Sequence, residues 1–384
     1  MAGVFPFHGL RFDPAVVGPL DKVVAPPYDV IADEAVPELR GRSPYNVVRL
    51  TRPGDDYLAA ARLEAEWLGS GALCEEPAPA LYVHEQELDD GEPRRGIVAA
   101  VRLRPYESGE VLPHERTHRG PKEDRLRLYR ATATSFEPLW FVYQGAGSGV
   151  SELLAEAIAT EPAYDFSSPE GGRNRLWVVT DPEWAAAVTT AFARLPLLIA
   201  DGHHRYETAL AYSEEVDGSP DAPSRFAMVL LVDIADPGLK VLPTHRVMRL
   251  APVRVTGGEP KPTLEATLAA IRGRMAAGYY AGGEYAVLPL EGDLPLVELH
   301  RQVIDNLLGK RSAEEVLLYT RDAKEAVRWV DEGRGQAAFF LDAPDLAVVL
   351  SLAQAGNTLP QKSTYFHPKP PSGMVFQTLD RATL

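Results

Sequence analysis

An apolar run that stops at a glycine turn and resumes at helical spacing constrains this chain most. LPLLIA, residues 195–200, is short and apolar, as a buried strand is, and Tyr206, Ala209, Leu210 and Ala211 then recur at helical spacing. ADGHHRYETAL therefore reads as strand, turn and helix. Asp201 and Gly202 make the turn, where glycine permits a backbone conformation that a side chain hinders. His203, His204 and Arg205 fall on the first helical turn, whose N–H groups lack internal partners and whose dipole favours negative charge. A phosphate sits well there. Arg205 can grip phosphate oxygens in pairs, and the imidazoles can donate hydrogen bonds or shuttle a proton. The same junction can also be a plain helix cap, and the residues alone leave both uses open. The end of a strand feeding a helix is nonetheless the usual ligand position in α/β folds.

The remaining pattern predicts an α/β (α+β) protein with a mixed sheet. Residues 1–50 are strand-like and punctuated by proline: VVAPPYDVI presents Tyr28 and Asp29, and SPYNVVRLT turns into another strand. A helix over 56–68 precedes two strands, ALYVHEQEL and RRGIVAAVRLRPY, that read as an antiparallel pair. SFEPLWFVYQ is a further strand. The following GAGSG lacks the Lys-Ser/Thr of a phosphate loop, so Ser151 is expected to cap the next helix. RLWVVTD leads into a helix with Asp181 as its cap and Pro182 at its first position. FAMVLLVDI and KVLPTHRVMRL are strand-like, the latter carrying His245 and Arg246. From about residue 251 short elements alternate, beginning with a helix over 263–276. Two parts are expected: a core over 1–250, and a C-terminal α/β portion over 251–384 whose tail folds back on the core.

A second charged cluster, LPHERTHRGPKEDRLRLYR, begins at residue 112. HERTH, from His114 to His118, matches the zinc-protease pattern H-E-x-x-H, which works only on a helix. Pro113 precedes it, Gly120 and Pro121 follow within three residues, and the segment is charged throughout, so the match reads as coincidence. The preferred use puts Glu115 at a strand end as general base or metal ligand, with His114 beside it. Lys122 and Arg125, on a helix over 121–133, would offset phosphate charge. A surface salt-bridge network is the plainer alternative. In the tail, Lys362, Ser363, Thr364 and Lys369 supply donors for an anion on an extended, proline-rich strand.

Composition narrows the function classes. A net charge of −15 argues against nucleic-acid and anionic-membrane surfaces. Cys74, the single cysteine, excludes an intramolecular disulfide and a multi-cysteine metal centre. No apolar run approaches membrane-spanning length and the first residues lack a signal-peptide pattern, so a cytoplasmic protein is expected, with an oligomer possible.

GHHRYETA resembles the Gly-x-His-Arg box of the ParB/sulfiredoxin superfamily, whose members bind nucleotide phosphates on this turn. DGHHR in particular resembles the free-serine kinases of that superfamily. Sulfiredoxins carry a catalytic cysteine where this chain has His203, so sulfinic-acid reduction is not supported, and no helix-turn-helix of ParB type is evident. Together, VVAPPYDVI, HERT with PKEDR, ADGHHRYE, PTHRVM and KSTYFHPK resemble the domain-of-unknown-function 1015 family over nearly the whole chain.

The resemblance implies a ParB/sulfiredoxin-like nucleotide-binding core and a small-molecule kinase using Mg²⁺ with ATP or ADP, and free L-serine as favoured acceptor. Asp201, Gly202, His203, His204 and Arg205 would hold the donor phosphates, with Asp201 and Glu115 as metal ligands. Glu115 is the expected base, with Asp29 or Asp201 in reserve and His114 and His204 assisting. Two alternatives stand beside it: a nucleotide-binding regulator of ParB type that transfers nothing, and a metal-dependent hydrolase built on HERTH.

Overall fold

The computed structural model describes residues 3–88, 91–115, 120–168, 172–216, 218–249, 257–308 and 311–380. The chain divides into two compact units, one of residues 1–113, 117–239 and 368–384, the other of 114–116 and 240–367. Both mix helices and strands, and the larger sheet is mixed, as the sequence pattern predicts.

The first unit is built on Phe226–Asp233, a strand of apolar residues buried along nearly its whole length, as a central strand covered on both faces must be. It runs antiparallel to Arg94–Arg102 and parallel to Leu139–Tyr143. On one side the sheet continues through Leu197–Asp201 to the edge strand Val111–Leu112. On the other, Leu81–Glu87, Arg173–Val179 and Tyr164–Ser167 follow in antiparallel order. Helices cover the sheet with aromatic residues: Phe192 meets Tyr143 at 4.7 Å between ring centroids, and Tyr206 meets Phe141 at 5.8 Å. Each such fully buried ring contributes about 1.5–3 kcal/mol relative to leaving it in water.

A smaller antiparallel sheet returns the C-terminal segment to the start of the chain. Phe376–Thr378 lies between Gly9–Phe12 and Thr134–Ser135. Phe12, Phe136 and Phe376 pack edge to face around this junction. That pairing brings residues 368–372 into the first unit.

The second unit holds a six-stranded antiparallel sheet in the order Glu259–Lys261, Glu284–Pro289, Ala276–Ala281, Ala337–Phe340, His245–Met248, Leu317–Thr320. Helices Leu264–Ile271 and Ala323–Asp331 pack on it around Val247, Tyr280 and Phe340. A separate ribbon pairs Lys240–Leu242 with Tyr365–His367.

Several local expectations are corrected. SPYNVVRLT is not a strand: Val48–Thr51 is a short helix, because the buried Asn46 accepts the Val48 N–H on Oδ1 at 3.0 Å and donates to the Lys22 and Val24 carbonyls. Gly149, in the left-handed region at φ 83°, starts helix Val150–Ile158 in place of Ser151, whose hydroxyl bonds Glu152 instead. The helix expected over 263–276 stops at Ile271, and Ala276–Ala281 is a strand. KVLPTHRVMRL breaks at Pro243 into two strands of different sheets. Among the described residues no helix is long and apolar enough to cross a membrane.

Candidate active site

The strand and helix predicted around Gly202 are Leu197–Asp201 and His203–Glu215. A bulge at Ala200 shifts the strand register between Ile199 and Asp201, so that Asp201, paired with Trp140, closes the ladder at the helix entrance. Gly202 takes φ +97°, and a Cβ there would lie 2.8 Å from Leu139 Cδ2. Both its backbone angle and its surroundings therefore require glycine.

Three carboxylates and two cations meet at this entrance. Asp201 Oδ2 accepts from Arg205 Nη2 at 2.8 Å, one helical turn on, and Oδ1 faces Lys369 Nζ at 2.7 Å. The same ammonium donates to Asp29 Oδ2 at 2.8 Å. Arg205 Nη1 donates to the Pro138 carbonyl at 2.8 Å and lies 3.9 Å from Glu137 Oε2. Glu137 Oε1 accepts the Tyr28 N–H at 2.8 Å and the Ser372 hydroxyl at 2.5 Å. The proline-fixed segments at 26–27 and 368–371 thus present Tyr28, Asp29 and Lys369 to the turn.

Electrostatics follow from this crowding. Burial alone would raise the Asp201 carboxyl, but Lys369 and Arg205 overcome it and hold the group far below the ordinary carboxylate range. Burial opposes the charge on Lys369 in the same way, and Asp201 and Asp29 push its ammonium well above the usual lysine value. Burial raises the Tyr28 phenol to about 12, against the attraction of Arg205 and Arg125. Asp201, Lys369 and Arg205 are therefore all charged across the physiological range.

Asp29 also lines a cavity of about 390 Å³ together with Tyr28, Arg52, Asp55, Asp124 and Arg125. Arg125 stands 4.2 Å from the Tyr28 ring centroid and donates to the Thr51 carbonyl at 2.9 Å. Asp124 pairs with Arg125 and accepts the Tyr57 hydroxyl at 2.6 Å. Arg52 reaches the Tyr28 and Ile31 carbonyls, both at 2.9 Å. The walls thus carry both signs of charge.

The remaining sequence-predicted residues have other surroundings. Lys122 pairs with Glu207 in the first unit. In the second, Glu115 Oε1 accepts the Ser363 N–H at 2.8 Å and the Thr364 N–H at 3.5 Å, and His114 Nε2 meets Thr364 Oγ1 at 2.8 Å. Lys362 has a positive φ of 53°, and its carbonyl accepts from the buried Arg246 at 3.1 Å. His118 lies outside the described residues, among which no group of three or more His, Cys, Asp or Glu gathers for a metal. Glu137 was not singled out from sequence; the signal was an acid enclosed by Phe136, Pro138 and Leu139. Lys369 was noted in the tail, and its place between two carboxylates comes only from the fold.

No curated protein matches the chain. Among solved structures, a free serine kinase in complex with AMP is similar over 71% of this chain and 88% of that one, at 16% identity and a TM-score of 0.39. A conserved hypothetical protein from Pyrococcus furiosus is similar over 70% of this chain and 92% of that one, at 18% identity and a TM-score of 0.38. SbnI with C-terminal truncation from Staphylococcus aureus is similar over 71% and 85%, at 13% identity and a TM-score of 0.35. The family described as Protein of unknown function (DUF1015) matches residues 4–331, and the chain belongs to it.

Proposed function

We propose that the first unit is a phosphotransferase that moves a phosphoryl group from ATP or ADP to the hydroxyl of a small acceptor, free L-serine being favoured. One observation carries this reading: the Lys369 ammonium is held between Asp29 and Asp201 at a helix entrance, and Asp29 also opens on a cavity of mixed charge. Phosphoryl transfer needs cations on the phosphates, a base at the hydroxyl and exact placement of both. The N–H groups of His203 and His204 and the Lys369 ammonium supply positive charge for the donor. Arg205, directed at Asp201 and Pro138, orients the turn.

Asp29 is assigned as the base in place of Glu115, because it lines the cavity of the unit that contains the turn. In the transfer the acceptor oxygen bonds to phosphorus, the bond from phosphorus to the nucleotide's bridging oxygen breaks, and the acceptor proton passes to Asp29. Walls bearing Arg52 and Arg125 with Asp55 and Asp124 suit an acceptor that carries a carboxylate and an ammonium. Both Asp201 oxygens face cations, so a Mg²⁺ ion would fit this site as one carried by the nucleotide phosphates, with Asp29 kept for the acceptor proton. Such an ion supplies charge neutralisation.

The Asp29→Asn variant separates binding from transfer. It is expected to keep nucleotide affinity, measured by calorimetry, and to lose transfer by about 10²–10⁴-fold, the usual contribution of a positioned base. Full transfer in the variant would remove Asp29 from the chemistry, and absence of nucleotide binding by the wild type would defeat the reading altogether.

A further inference from the structure

Arg94 is fully buried, and among the described residues the one charge that offsets its burial is that of Asp236, with which it makes no direct ion pair. A buried charge without a direct ion pair is expensive, so its position calls for a reason beyond packing. Its guanidinium donates from Nη1 to the Pro368 carbonyl at 2.6 Å and from Nη2 to Gln86 Oε1 at 2.7 Å. Gln86 Nε2 in turn donates to the Lys369 carbonyl at 3.3 Å. Two successive carbonyls, those of Pro368 and Lys369, are thus held by two side chains that also hold each other.

The clamp is itself fixed from below. Gln86 and Arg94 are register partners on adjacent strands, and Asn174 is the partner of Gln86 on its other side. His84 Nε2 lies 3.2 Å from Asn174 Oδ1, and its Nδ1 is 3.5 Å from Arg94 Nη2. Burial and then the Arg94 charge hold the His84 pKa down to about 3, so the neutral ring accepts from Arg94 at Nδ1 and donates from Nε2. The Trp140 ring, 4.6 Å from the guanidinium carbon, covers its face. Trp140 is the register partner of Asp201, so the strand that covers Arg94 also borders the carboxylate that receives Lys369.

We infer that Arg94 and Gln86 are positioning residues: they clamp the backbone on both sides of the Lys369 Cα so that its ammonium reaches Asp29 and Asp201. The inference rests on Lys369 belonging to the proposed site. Neither residue touches the reacting groups.

The test reads Lys369 directly. Wild type, Arg94→Met and Gln86→Leu are acylated with a trace of acetic anhydride, and the rate at each lysine is followed by peptide mass spectrometry. A released Lys369 should react about ten-fold faster or more in both variants, as local opening of the segment would allow. Lys22 and Lys261 should react unchanged, which separates a local clamp from general loosening. Gln86→Leu decides alone if Arg94→Met fails to fold. Folded variants in which Lys369 reacts no faster than in wild type would overturn the inference. Labelling does not depend on turnover, so failure of phosphoryl transfer would leave this result standing, and an unmoved Lys369 would leave the transfer assay untouched.

Discussion

Lys369→Met should destabilise the first unit by about 3–5 kcal/mol, the loss usual when one partner of a buried charge pair is removed. The entrance to helix His203–Glu215 holds three carboxylates, Asp29, Asp201 and Glu137, against the two cations Lys369 and Arg205. Methionine keeps the bulk of the stem and deletes the charge, leaving Arg205 alone among three acids. Phosphoryl transfer should fall by about a thousandfold as well, because a cation aimed at the donor is lost. Adding Asp29→Asn should restore part of the stability, since it removes one uncompensated charge, and the two changes should be non-additive. Unchanged denaturant midpoints in Lys369→Met would contradict this account of the cluster. Its pH range follows from the shifts. Asp201, held low, contributes stability above the unfolded carboxylate value of about 3.9. That contribution is lost as pH falls through the folded value. Lys369, held high, contributes fully below about 10.4 and loses it only as pH rises through its raised value.

Acidification should have the second large effect, and in a milder range. His84, His245 and His300 are buried, and burial followed by the charge of Arg94 or Arg246 lowers them to about 3, 4 and 3. All three are neutral when folded at pH 6 and take up a proton on unfolding, where histidine titrates near 6.5. The unfolded chain then binds more protons, so stability falls as pH falls from about 6.5 toward the folded values, by about 1.4 kcal/mol per pH unit for each group. Urea unfolding between about pH 7.5 and 5.5 should show this decline, before the carboxylates protonate. His84→Gln, which can still donate to Asn174, should flatten the slope of the first unit by about one proton. Stability independent of pH over this window would show that the three rings are not held neutral.

The elements most legible from sequence were those whose cause is local. The positive φ of Gly202 belongs to its own turn and the Asp181 cap on Pro182–Phe192 to neighbours within three residues, and both lie where the pattern predicts. Val48–Thr51 reads as strand because Val47, Val48 and Leu50 look strand-like, while the Asn46 side chain that accepts the Val48 N–H is itself fixed by a segment more than twenty residues away. The site divides in the same way. His203, His204, Arg205 and Asp29 carry visible chemistry in visible turns. Glu137, Arg94 and Gln86 acquire their roles from strand register and from a tail that returns nearly three hundred residues later, through Phe376–Thr378 pairing with Gly9–Phe12. Arg205 carries a visible charge, and its bond to Asp201 one helical turn back comes from the fold.

Incubating the wild-type protein with Mg²⁺, L-serine and either ATP or ADP, and following phosphorus NMR, decides whether the first unit transfers phosphate. A phosphotransferase acting on serine should give a phosphomonoester resonance of O-phosphoserine that grows in step with loss of the donor's terminal phosphate, with one nucleotide or the other. Both nucleotides bound but neither consumed would contradict that reading, and would leave a protein that senses nucleotide without transferring its phosphate.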